Sequence, residues 1–216
     1  MLAVTGHEHA VGCSHAQYPF KTSLERVMAS PMEADPIHVL ECSGIGDGAA
    51  AILLRPADEI ADGVEVTSTA LATDVYYLTE RPDILTFGAV ERAAGRAFKE
   101  ADISHHDVDV LEVHDETTIT GVISLEDLGF IEKGKGAAFV AEGGTARGGE
   151  LPTNTFGGLK ARGNPLGATG LYQIAEIYLQ LKGKAGPCQV DNVETGMAQN
   201  LGGLGSTCAV TILRRG

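Results

Sequence analysis

A layered α/β fold is predicted by three features of the 216-residue sequence. Apolar runs of strand length alternate with segments whose apolar residues recur at helical spacing, the pattern of strands interleaved with helices. Hydrophobic residues make up 44% of the chain, enough for a sizeable core, and charged residues 21%, as in water-soluble globular proteins. No stretch approaches the roughly 20 apolar residues that cross a bilayer, so no membrane segment is expected.

Residues 1–40 read as an irregular opening. His7, Glu8 and His9 break any apolar run near the start, so no signal peptide is expected. Asp35-Pro36 marks a turn, and Ile37 and Val39 lead toward a strand. A glycine-studded turn over 42–48 is followed by 49–54, apolar throughout, which predicts a strand buried on both faces. The polar break at 56–62 is a candidate domain boundary. A strand follows over 64–72. Val90, Ala93, Ala94, Ala97, Phe98 and Ala101 then form one apolar stripe along a helix. Residues 108–113 read as a strand ending at His114, 118–128 as a short helix, and 129–149 as a glycine-rich loop. A helix over 165–182 is expected to turn Leu171, Ile174, Ala175, Tyr178 and Leu181 inward. Strands over 194–199 and 206–213 close the chain.

Composition removes several function classes. A net charge of −13 repels phosphate backbones, which disfavours nucleic acid as a partner. Cys13, Cys42, Cys188 and Cys208 are widely spaced and form neither a zinc pattern nor a disulfide framework, so a reducing cytoplasm is expected. His7-Glu8-His9 and His105-His106-Asp107 lack a third ligand at recognisable spacing, so no metal site is expected and these histidines read as solvated. The GxxxxGK pattern at 129–135 places Gly136 where Ser or Thr would hold Mg²⁺, and no strand leads into it. Cys208, within an apolar strand, reads as an inert buried thiol.

The chemistry concentrates in 157–170, which holds five glycines in fourteen residues ahead of a helix. Asn164 is a favoured N-cap, and Pro165 fits the first helical position. Such a helix start presents free N–H groups suited to an anion or a developing oxyanion. The glycines equally suit tight packing of the helix on a sheet, and from the residues alone both readings stand.

This segment resembles the thiolase signature GGLKAxGHPxGATG, matching it except at Asn164. Other segments agree in order. Asp35-Pro36, Glu41-Cys42-Ser43 and Asp47-Gly48-Ala49-Ala50 are similar to the end of the thiolase N-terminal domain. Glu112-Val113-His114-Asp115 resembles the HDCF variant of the NEAF motif found in archaeal and sterol-carrier-type members, and 200–205 resembles the closing glycine loop. The resemblance implies a thiolase-like layered α/β fold, with 1–62 the tail of the N-terminal domain and 63–216 the C-terminal domain. It implies an acyl-CoA acyltransferase that forms or cleaves 3-ketoacyl-CoA. No cofactor is implied beyond the coenzyme A thioester as substrate. The family's nucleophilic cysteine belongs to the N-terminal half and has no counterpart here, so this chain alone is expected to be inactive.

The same resemblance assigns the site. His114 matches the family's catalytic set. Asn164 stands where the family has a general-base histidine, and an amide cannot accept a proton near neutral pH. Glu116 and Thr117 replace the cysteine and aromatic of HDCF, and Gln199 aligns with the family's C-terminal cysteine. Glu116 would substitute as a proton shuttle if burial raised its pKa. Asn154 is expected to serve a turn. The glycine loops, Gly157 and Gly158 with Gly202 and Gly203, are expected to cradle acyl-CoA. Implied partners are a thiolase N-terminal half or a second copy of the chain, and a small OB-fold zinc-ribbon protein. A non-catalytic CoA-binding or scaffold subunit is the alternative, and a retro-aldolase acting on CoA-bound chains a third.

Overall fold

The stripe beginning at Val90 forms α3, Gly88–Ala101, in a computed structural model of the protein that describes residues 1–59 and 62–216. Its buried side chains are those the spacing predicts, together with Ala89. They rest on one face of a sheet in the order β3-β6-β5-β4, where β3 is Val64–Thr73, β4 Val110–Glu112, β5 Thr195–Gly202 and β6 Thr207–Arg215. β3, β6 and β5 pair antiparallel, and β4 joins β5 in parallel.

Alternation along the strands separates the two faces. Leu111, Met197 and Ile212 pack with α3, whereas Val110, Ala198 and Leu213 pack with Ile177 and Leu181 of α7, Thr169–Leu181. The sheet is therefore sandwiched between helices, as predicted.

Three expectations fail. Residues 49–54 form neither helix nor strand, and Leu53 and Leu54 are 85% and 74% exposed. A strand needs a neighbour for its backbone groups, and among the described residues none pairs with this run. Residues 1–40 are less irregular than their composition suggests. They hold helix α1, Leu2–Ala10, α2, Leu24–Met28, and a small hairpin of β1, Met32–Ala34, and β2, Ile37–His38, turning at Asp35-Pro36. α1 shows no apolar stripe because it is buried almost all round, against α6 (Gly158–Ala161) and α4 (Thr118–Asp127). His7 and His9 are accordingly buried rather than solvated. Their Nδ1 atoms donate to the carbonyls of Tyr18 and Asn154 at 3.1 Å each, and burial lowers both pKa values.

The third failure is a partial one, in α7, where Leu181 is buried and Ile174 packs on the core as expected. The side chains it buries are Thr169, Gln173, Glu176, Ile177, Gln180 and Leu181, while Leu171 and Tyr178 are exposed. Polar residues sit inward because each finds a partner there. Gln180 donates to the Thr155 hydroxyl at 2.8 Å, and Glu176 faces Arg162 Nε at 3.0 Å. Within the predicted loop 129–149 a short helix also forms, α5, Gly136–Ala141. The predicted boundary at 56–62 contains a 3₁₀ turn, Ala57–Glu59; Ile60 and Ala61 lie outside the described residues.

Candidate active site

β4 carries the chain to His114 at the edge of a cleft of about 940 Å³. His114, Glu116 and Asn164 line it together with the closing glycine loop from Asn200 to Gly205. The segment 42–46 holds the two arms in register. Cys42 bridges Thr117, the Ser43 N–H donates to the Glu116 carbonyl at 2.7 Å, and Asn164 N–H donates to the Gly44 carbonyl at 2.9 Å. Backbone hydrogen bonds thus fix the spacing between the His114 strand tip and the Asn164 turn.

At that turn Asn164 Oδ1 accepts from the Leu166 N–H at 3.2 Å and from the Thr169 hydroxyl at 2.7 Å. Asn164 is not the helix cap the sequence predicts. Pro165 is the N-cap of a short 3₁₀ turn, Leu166–Ala168, and α7 begins only at Thr169. The Asn164 side chain instead ties the turn that leads into them. Asn164 itself is 4% exposed. Its side-chain oxygen is engaged by the Leu166 and Thr169 bonds and its Nδ2 donates to the Ser43 hydroxyl at 3.5 Å, which leaves one amide N–H as the part able to act on a ligand.

His114 is buried, and burial with the Arg162 charge lowers its pKa to about 4. The imidazole is therefore neutral at physiological pH. Its Nε2 lies 3.9 Å from Glu116 Oε2. The Glu116 side chain is 63% exposed, so it is not the buried carboxyl that the proton-shuttle expectation requires.

The glycines divide. Gly202 and Gly203 line the cleft, and Gly203, at φ 43°, lies against Tyr76, whose ring is 3.3 Å from where a Cβ would stand. Gly157 and Gly158 do not line it. A Cβ on Gly158, at φ 59°, would stand 2.6 Å from both carboxyl oxygens of Asp115, and one on Gly157 would stand 2.8 Å from Ala10. These two glycines let α6 pack against the strand tip and α1, the packing reading of the segment. Asn154 serves a turn at φ 53°, its Oδ1 accepting from the Val113 N–H at 2.8 Å.

Beneath the cleft lies a buried charge cluster that the sequence did not single out. Glu112, Asp115, Arg162 and Glu176 are each 3% exposed or less. Burial raises the Asp115 pKa to about 7, against the pull of the Leu159 N–H bond and of Arg162. Burial and the Glu176 charge push Glu112 well up as well. For a carboxyl group whose folded pKa exceeds its unfolded one, stability is present below the unfolded value of 3.8 and is lost as pH rises toward 7. Asp115→Asn is therefore expected to raise stability at pH 8.5 by on the order of 2–4 kcal/mol and to have little effect at pH 4. Urea midpoints at the two pH values check this, and equal shifts at both would contradict it.

The other thiols are poorly placed. Cys208 is buried in β6 and its pKa is pushed up to about 12 by burial; burial also raises that of Cys42. Cys13, beside Cys188 and His15 whose hydrogen bonds lower its pKa, packs in a separate cluster with Phe156 and is not among the cleft residues. Among the described residues no helix is long and apolar enough to cross a membrane.

The family model for the thiolase C-terminal domain-like family matches residues 70–215. The chain belongs to the thiolase C-terminal domain family. An acetyl-CoA acetyltransferase of Methanothermobacter thermautotrophicus is 48% identical over 219 residues, an alignment covering 100% of this chain and 57% of that protein. Sterol carrier protein 2 of Oryctolagus cuniculus is 35% identical, over 97% of this chain and 40% of its own length. Among solved structures, the Ltp2-ChsH2(DUF35) aldolase matches with a TM-score of 0.86 at 21% identity, covering 99% of this chain and 57% of that one, a likeness of fold. This thiolase domain thus spans little more than half of the curated relatives it matches most fully. Within it, the signature segment forms the Asn164 arm of the cleft, and the HDCF-like segment forms the His114 arm.

The residues that sequence reasoning missed are Gln173, Asn200 and Asp115. Asp115 and Asn200 stand inside motifs already quoted, but their neighbours across the fold give them their surroundings. Gln173 carried no signal, since the apolar residues expected inward on its helix do not include it.

Proposed function

We propose that this chain supplies the oxyanion-binding side of a thiolase-type acyl-CoA acyltransferase that forms or cleaves 3-ketoacyl-CoA. In this reading the nucleophilic cysteine comes from polypeptide outside residues 1–216. The carrying observation is that the His114 strand tip and the Asn164 turn, 50 residues apart in sequence, line one cleft with the closing glycine loop. A neutral His114 N–H and the Asn164 amide are donors suited to a thioester carbonyl as negative charge develops on its oxygen. Gly202 and Gly203 leave room for the acyl chain beside Tyr76. The name of the 48%-identical relative, an acetyl-CoA acetyltransferase, supports the substrate class.

Asn164 in place of the general base implies slow proton transfer to or from the nucleophile, and Glu116, open to solvent 3.9 Å from His114, is a carboxylate in the cleft placed to take part. A small OB-fold zinc-ribbon partner and association with a thiolase N-terminal half or a second copy belong to the same reading, as does a cytoplasmic location. The solved neighbour, whose name joins Ltp2 to a DUF35 component, supports the idea of a partner.

[¹⁴C]Acetyl-CoA is expected to label no cysteine of this chain alone. Stable thioester at Cys42 or Cys208 would overturn the assignment of the nucleophile to another segment. Joining the chain to the N-terminal half of the Methanothermobacter relative is expected to restore labelling on the supplied cysteine. Binding of acetyl-CoA without any labelling would favour the non-catalytic subunit instead.

A further inference from the structure

We infer that Asn200, oriented by Gln173, is a positioning residue that fixes His114 as the Nε2–H tautomer, so that the ring meets the cleft as a hydrogen-bond donor and not as a base. The inference deepens the acyl-transfer reading and rests on it only for the use to which the donor is put.

The argument starts from a backbone carbonyl, which can only accept. Gln173, fully buried on α7, donates from Nε2 to the Gln199 carbonyl at 2.9 Å. That contact fixes which end of the Gln173 amide is nitrogen, so its Oε1 is the other end. Oε1 faces Asn200 Nδ2 at 3.0 Å and must accept from it, which fixes the Asn200 amide in turn. The same Nδ2 lies 3.1 Å from His114 Nδ1. An amide nitrogen has two hydrogens and nothing to accept with. One goes to Gln173, and the other points at the imidazole. Nδ1 must then carry the lone pair, and a neutral ring holds its proton on Nε2.

Two further contacts hold the ring in place. The His114 backbone N–H donates to Gln199 Oε1 at 2.9 Å, so adjacent residues of β5 grip both the main chain and the side chain of His114. On the opposite side of the ring, Nε2 lies toward Glu116 at the cleft. The low pKa keeps the ring neutral, the condition under which a tautomer has meaning. A proton acceptor at Nε2 would require the Gln173 and Asn200 amides to turn over together, setting the Gln173 oxygen against the Gln199 carbonyl. Chain-wide polarity therefore runs from one carbonyl to the cleft.

The test reads the ring directly, in the chain without any acyl-CoA. Long-range ¹H–¹⁵N spectra of protein labelled with ¹⁵N-histidine, with His114 assigned by its absence in His114→Gln, distinguish protonated from bare ring nitrogens. The wild type is expected to show His114 wholly as Nε2–H at pH 7. Asn200→Asp replaces the donor by a carboxylate that accepts from Nδ1–H, and is expected to reverse the tautomer. Gln173→Met frees the Asn200 amide to turn and is expected to leave a mixture of both forms; it carries the test should Asn200→Asp not fold. A wild-type ring protonated at Nδ1, or a tautomer indifferent to either substitution, would overturn the inference. Either result would leave the acyl-transfer reading standing with another donor. Conversely, failure of acetyl-CoA to bind would leave the tautomer result untouched.

Discussion

Asn164→His, in residues 1–216 joined behind the N-terminal half of the Methanothermobacter relative, is expected to raise acetoacetyl-CoA cleavage about 10²–10⁴-fold, the usual worth of a positioned general base. Asn164 forms one arm of the cleft, and its Oδ1 already accepts from the Leu166 N–H and the Thr169 hydroxyl. The amide thus holds the turn but cannot take a proton from a thiol. A histidine there acts as a base through Nε2 only with its ring proton on Nδ1, so Nδ1 cannot accept from the Leu166 N–H, and both bonds made by the Asn164 oxygen are given up. Loss of these two bonds is expected to cost about 1–3 kcal/mol of stability, visible as a lower urea midpoint. The steady-state rate at saturating CoA reads the gain. An unchanged rate would mean that proton transfer has moved to another group, with Glu116 the first to examine.

The opposite effect is expected at the other arm. His114→Phe keeps an aromatic ring beside Asn200 but removes Nε2–H, and is expected to lower kcat about 10²–10³-fold in the same joined protein, as loss of one oxyanion donor does. KM should change less, because the donor is needed most where charge develops. If His114 were instead a packing residue, the ring replacement would leave kcat nearly intact. A KM effect without a kcat effect would place His114 in ground-state binding only.

How much of this was legible in the residues depends on which neighbour decides each one. α3 was readable because its buried face is apolar and regularly spaced. The strands β3 and β6 were readable because buried residues alternate along them with more exposed ones, and β5 because nearly all its residues are buried. α7 misled because its inward face is Gln173, Glu176 and Gln180, each satisfied by a partner distant in sequence or by a buried charge. No periodicity rule sees such partners. The same holds for α1, whose histidines bond carbonyls 11 and 145 residues away. The run 49–54 was misread because apolar composition describes what a segment prefers to bury, whereas a strand also needs a partner for its backbone.

The cleft shows the same division. His114 and Asn164 were found through motifs, and their convergence is a matter of tertiary structure that the segment 42–46 enforces. Gly157 and Gly158 share the signature with Asn164 yet face inward, since a motif records what a segment needs in order to fold as well as what it does. The tautomer of His114 rests on two side chains that no motif marks.

Amide chemical-shift mapping of the ¹⁵N-labelled chain during titration with acetyl-CoA tests the central claim most directly. The account predicts saturable shifts clustered at His114, Glu116, Asn164 and residues 200–205, with Gly157 and Gly158 much less affected. Shifts centred elsewhere, with His114 and Asn164 silent at saturation, would contradict it.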